Sequence, residues 1–131
     1  VRILLIEDDE HQAEIMKFRL QSRHELHFAD RLEVGVEACG RVRPDVVMVD
    51  LGLPDTVNYQ DTMARIAKVR MQAAVIIITG MDATLQFIDE CRKHRTDGFI
   101  VKGRGDRSPE ILDAALVEAV AHRRRFLSKE G

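Results

Sequence analysis

The sequence predicts an α/β domain, a three-layer, doubly wound parallel sheet of five strands alternating with five helices. Three observations carry that expectation. Apolar runs at Ile3 to Ile6, Val46 to Val49 and Val75 to Ile78 are too short for helices and continuous enough for strands covered on both faces. Stretches with apolar residues at helical spacing separate them, and right-handed crossovers return each strand parallel to the last. Functional groups gather at the strand ends: Glu7, Asp8, Asp9 and Glu10 after the first, Asp50 at the third, Thr79 at the fourth and Lys102 after the fifth. Open α/β sheets place their ligands at that end.

Arg2 to Ile6 is the first strand. The segment to about Arg23 carries Ala13, Met16 and Leu20 at helical spacing with Ile15 beside them, and its acidic start suits the helix dipole. Glu25 to Ala29 alternates only loosely and is assigned to an edge strand. Asp30 is placed to cap the second helix, about Leu32 to Val42, which turns Val36 and Cys39 inward and stops ahead of Pro44. After the third strand, Gly52 and Pro54 turn the chain out of the sheet. The third helix shows Tyr59, Met63, Ile66 and Ala67 on one face and runs to about Arg70. Ala74 to Thr79 is the fourth strand, and Asp82 caps a fourth helix with Leu85, Ile88 and Cys91 facing the core and Phe87 alongside. Gly98 to Val101 is the last strand, and it leaves into the basic loop Lys102-Gly103-Arg104-Gly105. Ser108, Pro109 and Glu110 open the final helix, whose stripe of Leu112, Ala115, Leu116, Ala119 and Val120 is the clearest amphipathic pattern in the chain. The short second strand belongs at an edge, which gives the order 2-1-3-4-5 and a topological switch between the first and third strands.

With 131 residues and 45% hydrophobic content, the chain suits one domain around one core. Charged residues reach 32% yet nearly cancel to −2, so no overall basic field points to direct nucleic-acid binding. No apolar run approaches the roughly 20 residues of a membrane span, and no secretory signal precedes the first strand. The expected setting is cytoplasmic, without membrane contact. Cys39 and Cys91 fall in predicted helices without CxxC spacing and read as reduced, buried thiols. His24 and His27 have HxxH spacing but no third ligand, and the run from His122 to Arg125 suits the end of a helix; both are read as solvated surface. The methionines read as fillers of gaps in the core.

On this topology Glu7, Asp8 and Asp50 meet at the switch point, with Thr79 and Lys102 arriving from the next two strand ends. Alone, Asp50 is better explained as a turn or helix-cap aspartate. Three acids, a hydroxyl and an amine in one crevice are more specific. Hard oxygen donors with no His or Cys among them suit Mg²⁺ better than zinc. A lysine can neutralise phosphoryl oxygens and a threonine can donate to one, so the set suits phosphoryl transfer onto a carboxylate, with Asp50 as nucleophile.

At these residues the chain resembles the receiver domains of two-component response regulators. The resemblance spans about Arg2 to Arg123. It rests on Leu-Leu-Ile-Glu-Asp-Asp at the first strand, Val-Asp-Leu-Gly-Leu-Pro-Asp at the third, Ile-Ile-Ile-Thr-Gly at the fourth and Gly-Phe-Ile-Val-Lys-Gly at the fifth. Each motif is weak alone; four in order are strong. The resemblance implies a flavodoxin-like receiver fold over residues 1–125, with 126–131 a tail or the start of a connector. A chemotaxis regulator of this family has the 2-1-3-4-5 order, so that order is not an independent result. It implies Asp50 as phosphoacceptor, with Glu7, Asp8, Asp50 and the backbone carbonyl of Gly52 holding Mg²⁺. Lys102 becomes the phosphate-binding lysine, Thr79 the switch hydroxyl and Phe99 the switch aromatic, while Asp9 falls outside the site. The implied function is a regulatory phosphoacceptor rather than an enzyme acting on other substrates. It takes its phosphoryl group from a sensor histidine kinase or a phosphotransfer protein, and offers the fourth helix, fifth strand and fifth helix to a second copy or a downstream domain.

The departures from the family pattern are local. Proline usually follows the lysine, often through a cis peptide. Gly103 stands there instead, and a cis bond without proline costs about 2.5 to 4 kcal/mol, which predicts a trans bond, a positive φ at Gly103 and a mobile loop to Arg107. Gly52 is smaller than the usual residue at its position, and Asn58 stands where a turn glycine is usual, since Asn tolerates a left-handed backbone. Two other classes of function compete. A Mg²⁺-dependent aspartyl-phosphate hydrolase would need a second aspartate where Gly52 stands, and a receiver-like interaction domain without phosphorylation would not need the complete acid, threonine and lysine set. The length leaves no room for an effector domain after the receiver, so the expectation is a stand-alone regulator or one piece of a longer protein.

Overall fold

A computed structural model describes residues 1–51, 53–69, 72–80, 89, 96–103 and 108–130. Within them run β1 (Arg2–Ile6), α1 (Glu10–Leu20), β2 (Glu25–Ala29), α2 (Leu32–Val42), β3 (Val46–Asp50), α3 (Tyr59–Ile66), β4 (Ala74–Thr79), β5 (Gly98–Val101) and α4 (Pro109–Glu130). The helix expected from Asp82 through Leu85, Phe87, Ile88 and Cys91 lies outside the described residues, so α4 is the last of the five predicted helices. No helix among the described residues is long and apolar enough to cross a membrane.

All strand pairings are parallel, in the order β2-β1-β3-β4-β5. Successive side chains of a strand point to opposite faces, and both faces are covered. Leu4, Ile6, Val47, Val49, Val75 and Ile77 pack with Leu32, Cys39, Met63 and Ile66 from α2 and α3. Ile3, Leu5, Val46, Met48, Ile76 and Ile78 pack with Met16, Leu20, Leu112 and Leu116 from α1 and α4. The apolar runs of β1, β3 and β4 are continuous in sequence because neither face of these central strands meets water. Met16, Met48 and Met63 fill core positions, and Cys39 is a free thiol that burial pushes up to about 11, which leaves it unreactive.

Helix ends follow local chemistry in most places. The Asp9 carboxylate accepts from the amides of His11 and Gln12 and so starts α1, which places Asp9 outside the acid crevice. Ser108 accepts from the Ile111 amide at the start of α4, as expected of a capping serine. The start of α2 differs from expectation. Asp30 is exposed and does not cap it, and its N-cap Arg31 makes no side-chain cap; the amides of Leu32 and Glu33 donate instead to Asp55, each at 2.8 Å. Asn58 is extended rather than left-handed (φ −160°, ψ −178°) and caps α3 by accepting from the Asp61 amide at 2.9 Å. Both α1 and α3 are shorter than predicted. In the turns after α3, Val69 is buried while Ala67 is exposed, because the helix ends at Ile66 and its periodicity ends with it.

Two histidines read as solvated are bridges. His24 Nε2 lies 2.7 Å from Asp113 Oδ1, which ties the turn after α1 to α4, and only 12% of the His24 side chain is exposed. His122 Nδ1 lies 2.8 Å from Asp97 Oδ1, whose other oxygen accepts from the Val75 amide. The imidazole thus fastens α4 to the lower ends of β4 and β5. His27 keeps its expected place at the surface, where it pairs with Glu25.

Candidate functional site

Three carboxylates and one ammonium converge above the carboxyl ends of the strands. The Glu7 amide donates to Ala29 O at 2.9 Å, which carries the β1–β2 pairing one residue past the strand and aims Glu7 into the crevice. Asp50 is the last residue of β3, and the Leu51 amide donates to Ile78 O at 3.1 Å, so the chain leaves the sheet only after Asp50 is fixed. Lys102 is fixed in the same way, its amide donating to Thr79 O at 2.8 Å. Its Nζ then stands 3.0 Å from Glu7 Oε1 and 3.0 Å from Asp50 Oδ1. Glu7 and Asp50 are buried and Asp8 is exposed.

One ligand oxygen from each of Glu7, Asp8 and Asp50 can be chosen so that all lie within 4.8 Å of one another. Three acids so close repel unless a cation or a proton intervenes. Glu7 records the strain: burial first, then the hydrogen-bonding approach of Asp50, raises its pKa to about 7 against the opposing pull of Lys102. Burial alone would lower the Lys102 ammonium, but the Asp50 and Glu7 carboxylates outweigh it and hold the lysine above its ordinary value. Glu7 Oε2 is buried and makes no hydrogen bond to any described donor. A buried acceptor with no donor is what an oxygen-ligated cation would satisfy, and all-oxygen donors fit a hard divalent ion. The three acids could therefore hold Mg²⁺. The Gly52 carbonyl, expected to join them, lies outside the described residues.

Thr79 is buried at the end of β4 and pairs in register with Val101. Phe99 pairs with Ile77 and is half-buried against the core face that α2 and α3 cover. Gly103, next to Lys102, has φ 84°, and no cis peptide bond occurs among the described residues, both as the missing proline predicts. The rest of that loop, 104–107, lies outside the described residues.

Sequence reasoning missed Asp55 and Arg65. Burial alone would raise the Asp55 carboxyl, but the amides of Glu33 and Leu32, with help from Arg65, hold it below the usual carboxylate range. Arg65 Nη1 donates to Asp55 O at 2.6 Å. The available signal was an acid just beyond Pro54 facing a helix that lacks its own cap.

The sequence pattern of the response regulator receiver domain matches residues 3–114. No curated protein matches the chain. A response regulator receiver domain protein from Clostridium thermocellum is similar in structure at 25% identity and a TM-score of 0.78, with 97% of this chain and 98% of that one covered. A CheY-like receiver domain protein from Methanospirillum hungatei JF-1 is similar at 23% identity and a TM-score of 0.76, over 99% of this chain and 98% of the other. Chemotaxis protein CheY4 of Vibrio cholerae shares the fold at 16% identity and a TM-score of 0.74, over 91% of this chain and 98% of that one. The family pattern runs through every strand that contributes to the crevice, and the chain belongs to the response regulator receiver domain family.

Proposed function

We propose that the chain is a phosphorylation switch that accepts a phosphoryl group on Asp50 from the phosphohistidine of a sensor kinase or a phosphotransfer protein. The observation that carries this reading is the Lys102 ammonium, 3.0 Å from both the Glu7 and Asp50 carboxylates at the carboxyl ends of the strands. An Asp50 oxygen attacks phosphorus in line, the phosphorus–nitrogen bond breaks, and the leaving ring nitrogen keeps the bonding pair. Lys102 then turns its charge from the carboxylates to the phosphoryl oxygens, and Thr79 can donate its hydroxyl to one of them. Glu7, Asp8 and Asp50 would hold Mg²⁺, with the Gly52 carbonyl expected to join them, and the ion would supply the charge neutralisation that lets an anionic donor approach an acid cluster. Glu7 and Asp8 bind and orient; no residue of the site needs to act on any other substrate. The output is a change of shape read by a partner, with Thr79 and Phe99 as the moving pair. The receiving surface includes β5 and α4, where Ile111 and Val117 are exposed.

Incubating the protein with phosphoramidate and Mg²⁺ and weighing it by mass spectrometry tests the reading. Wild type should gain one phosphoryl group, lost on treatment with hydroxylamine, and Asp50→Asn should gain none. Modification of a serine or histidine, or no modification of wild type, would overturn it.

A further inference from the structure

We infer that Asp55 is a positioning residue for the phosphoacceptor site, tethering the segment that follows Asp50 to the N-terminus of α2; this rests on the reading of Asp50 given above. The chain after β3 is held at several points. Leu51 keeps the ladder bond to Ile78, and Leu53 is buried in the core with its carbonyl accepting from both the amide and the hydroxyl of Thr56, at 3.1 and 2.9 Å. Asp55 then reaches across to α2, 22 and 23 residues away in sequence, and spans the Leu32 and Glu33 amides with its two carboxylate oxygens. Arg65 closes the arrangement from α3 by donating to the Asp55 carbonyl.

A helix N-terminus left without its own cap is an electrostatic partner for a carboxylate. At α2 that carboxylate belongs to the loop behind the reaction centre. One contact therefore serves two ends: it caps α2, and it anchors at Asp55 the chain that follows Asp50. That backbone includes Gly52, whose carbonyl is the expected metal ligand. Groups that orient ligands from behind typically change metal affinity by about 10 to 100-fold when removed.

Two variants separate the roles. Asp55→Ala removes both cap and tether, whereas Arg31→Ser combined with Asp55→Ala puts a capping hydroxyl back on α2, where Arg31 already has extended N-cap geometry (φ −155°, ψ 162°), and leaves the loop untied. Three quantities are read: melting temperature, Mg²⁺ affinity by titration, and hydrogen exchange at the Leu51 and Thr56 amides. Positioning predicts that the double variant regains melting temperature while Mg²⁺ binding stays at least tenfold weakened and the two amides exchange faster than in wild type. Recovery of all three in the double variant would reduce Asp55 to a helix cap and overturn the inference, as would wild-type Mg²⁺ affinity in Asp55→Ala. Were wild type itself not to bind Mg²⁺, the reading of Asp50 would be at fault. The exchange of Leu51 and Thr56 would then still decide whether Asp55 holds the loop.

Discussion

Burial and the approach of Asp50 raise the Glu7 carboxyl from an ordinary value of 4.5 to about 7, so the native state holds this proton to higher pH than the unfolded chain does. Its contribution to stability is therefore fully present below about pH 4.5 and is lost as pH rises through about 7, because over that range the native state holds a proton the unfolded chain has released. Without metal, denaturant melts should show this component of stability falling across that window, and Glu7→Gln should flatten it. A wild-type profile indistinguishable from Glu7→Gln would count against the raised value. Mg²⁺ held by Glu7 as proposed would compete with the same proton, so its affinity should rise over the same window. At a hundredfold excess over its dissociation constant the ion adds roughly 2.7 kcal/mol of stability, which a thermal melt reads directly. Glu7, Asp50 and Lys102 were legible in the sequence because each stands at the end of an apolar strand, and strand ends on a parallel sheet share one edge. Asp55 was not, because its partners are backbone amides of an element whose position depends on how α2 packs.

The strand boundaries expected from sequence coincide with those observed, as do the bounds of α2 and the start of α4, whereas the ends of α1 and α3 and the cap of α2 differ. A strand buried on both faces must be apolar throughout, so its limits are written in composition. Where a helix stops is decided by the donors and acceptors around it. His24 and His122 show the same difference: polar residues on helices and turns read as surface until the facing element is known. The two interior glycines of α2 turn this into a prediction. Helix propensity alone says that either would be improved by alanine, by up to about 1 kcal/mol. At Gly40 a β-carbon meets nothing within 4 Å, so Gly40→Ala should stabilise by roughly that amount. At Gly35 it would come to 2.6 Å from Ile6 Cγ1, in a fully buried side chain of β1, so Gly35→Ala should destabilise by about 1 to 2 kcal/mol of overpacking. Equal and favourable shifts in the urea midpoints of both variants would show that the α2–β1 approach is looser than described.

The molecule as a whole connects its acid edge to its outer face through β4 and β5. Thr79 ends one strand, Phe99 lies in register with Ile77 on the other, and His122 with Asp97 pins α4 beneath both. Beryllofluoride, which would stand in for the phosphoryl group proposed for Asp50, should shift the amide resonances of Thr79, Phe99 and α4 together. Shifts limited to the neighbours of Asp50 would exclude that coupling. Phe99 already leans on the core before any modification, so a modest change in population is expected rather than a complete exchange of states. Given the strand order that the family resemblance carries, the acid crevice and its lysine were legible from the chain, since they follow from topology; the ties that stiffen them were not, since they follow from packing. The Lys102 bridge also sets an order of events. A divalent ion held as proposed above would have to compete for Glu7 and Asp50 with the Lys102 ammonium, which stands 3.0 Å from each. On that reading, loading the cation and freeing the lysine for an anion would be a single exchange, and until then the acid pair keeps Lys102 as its own internal counterion.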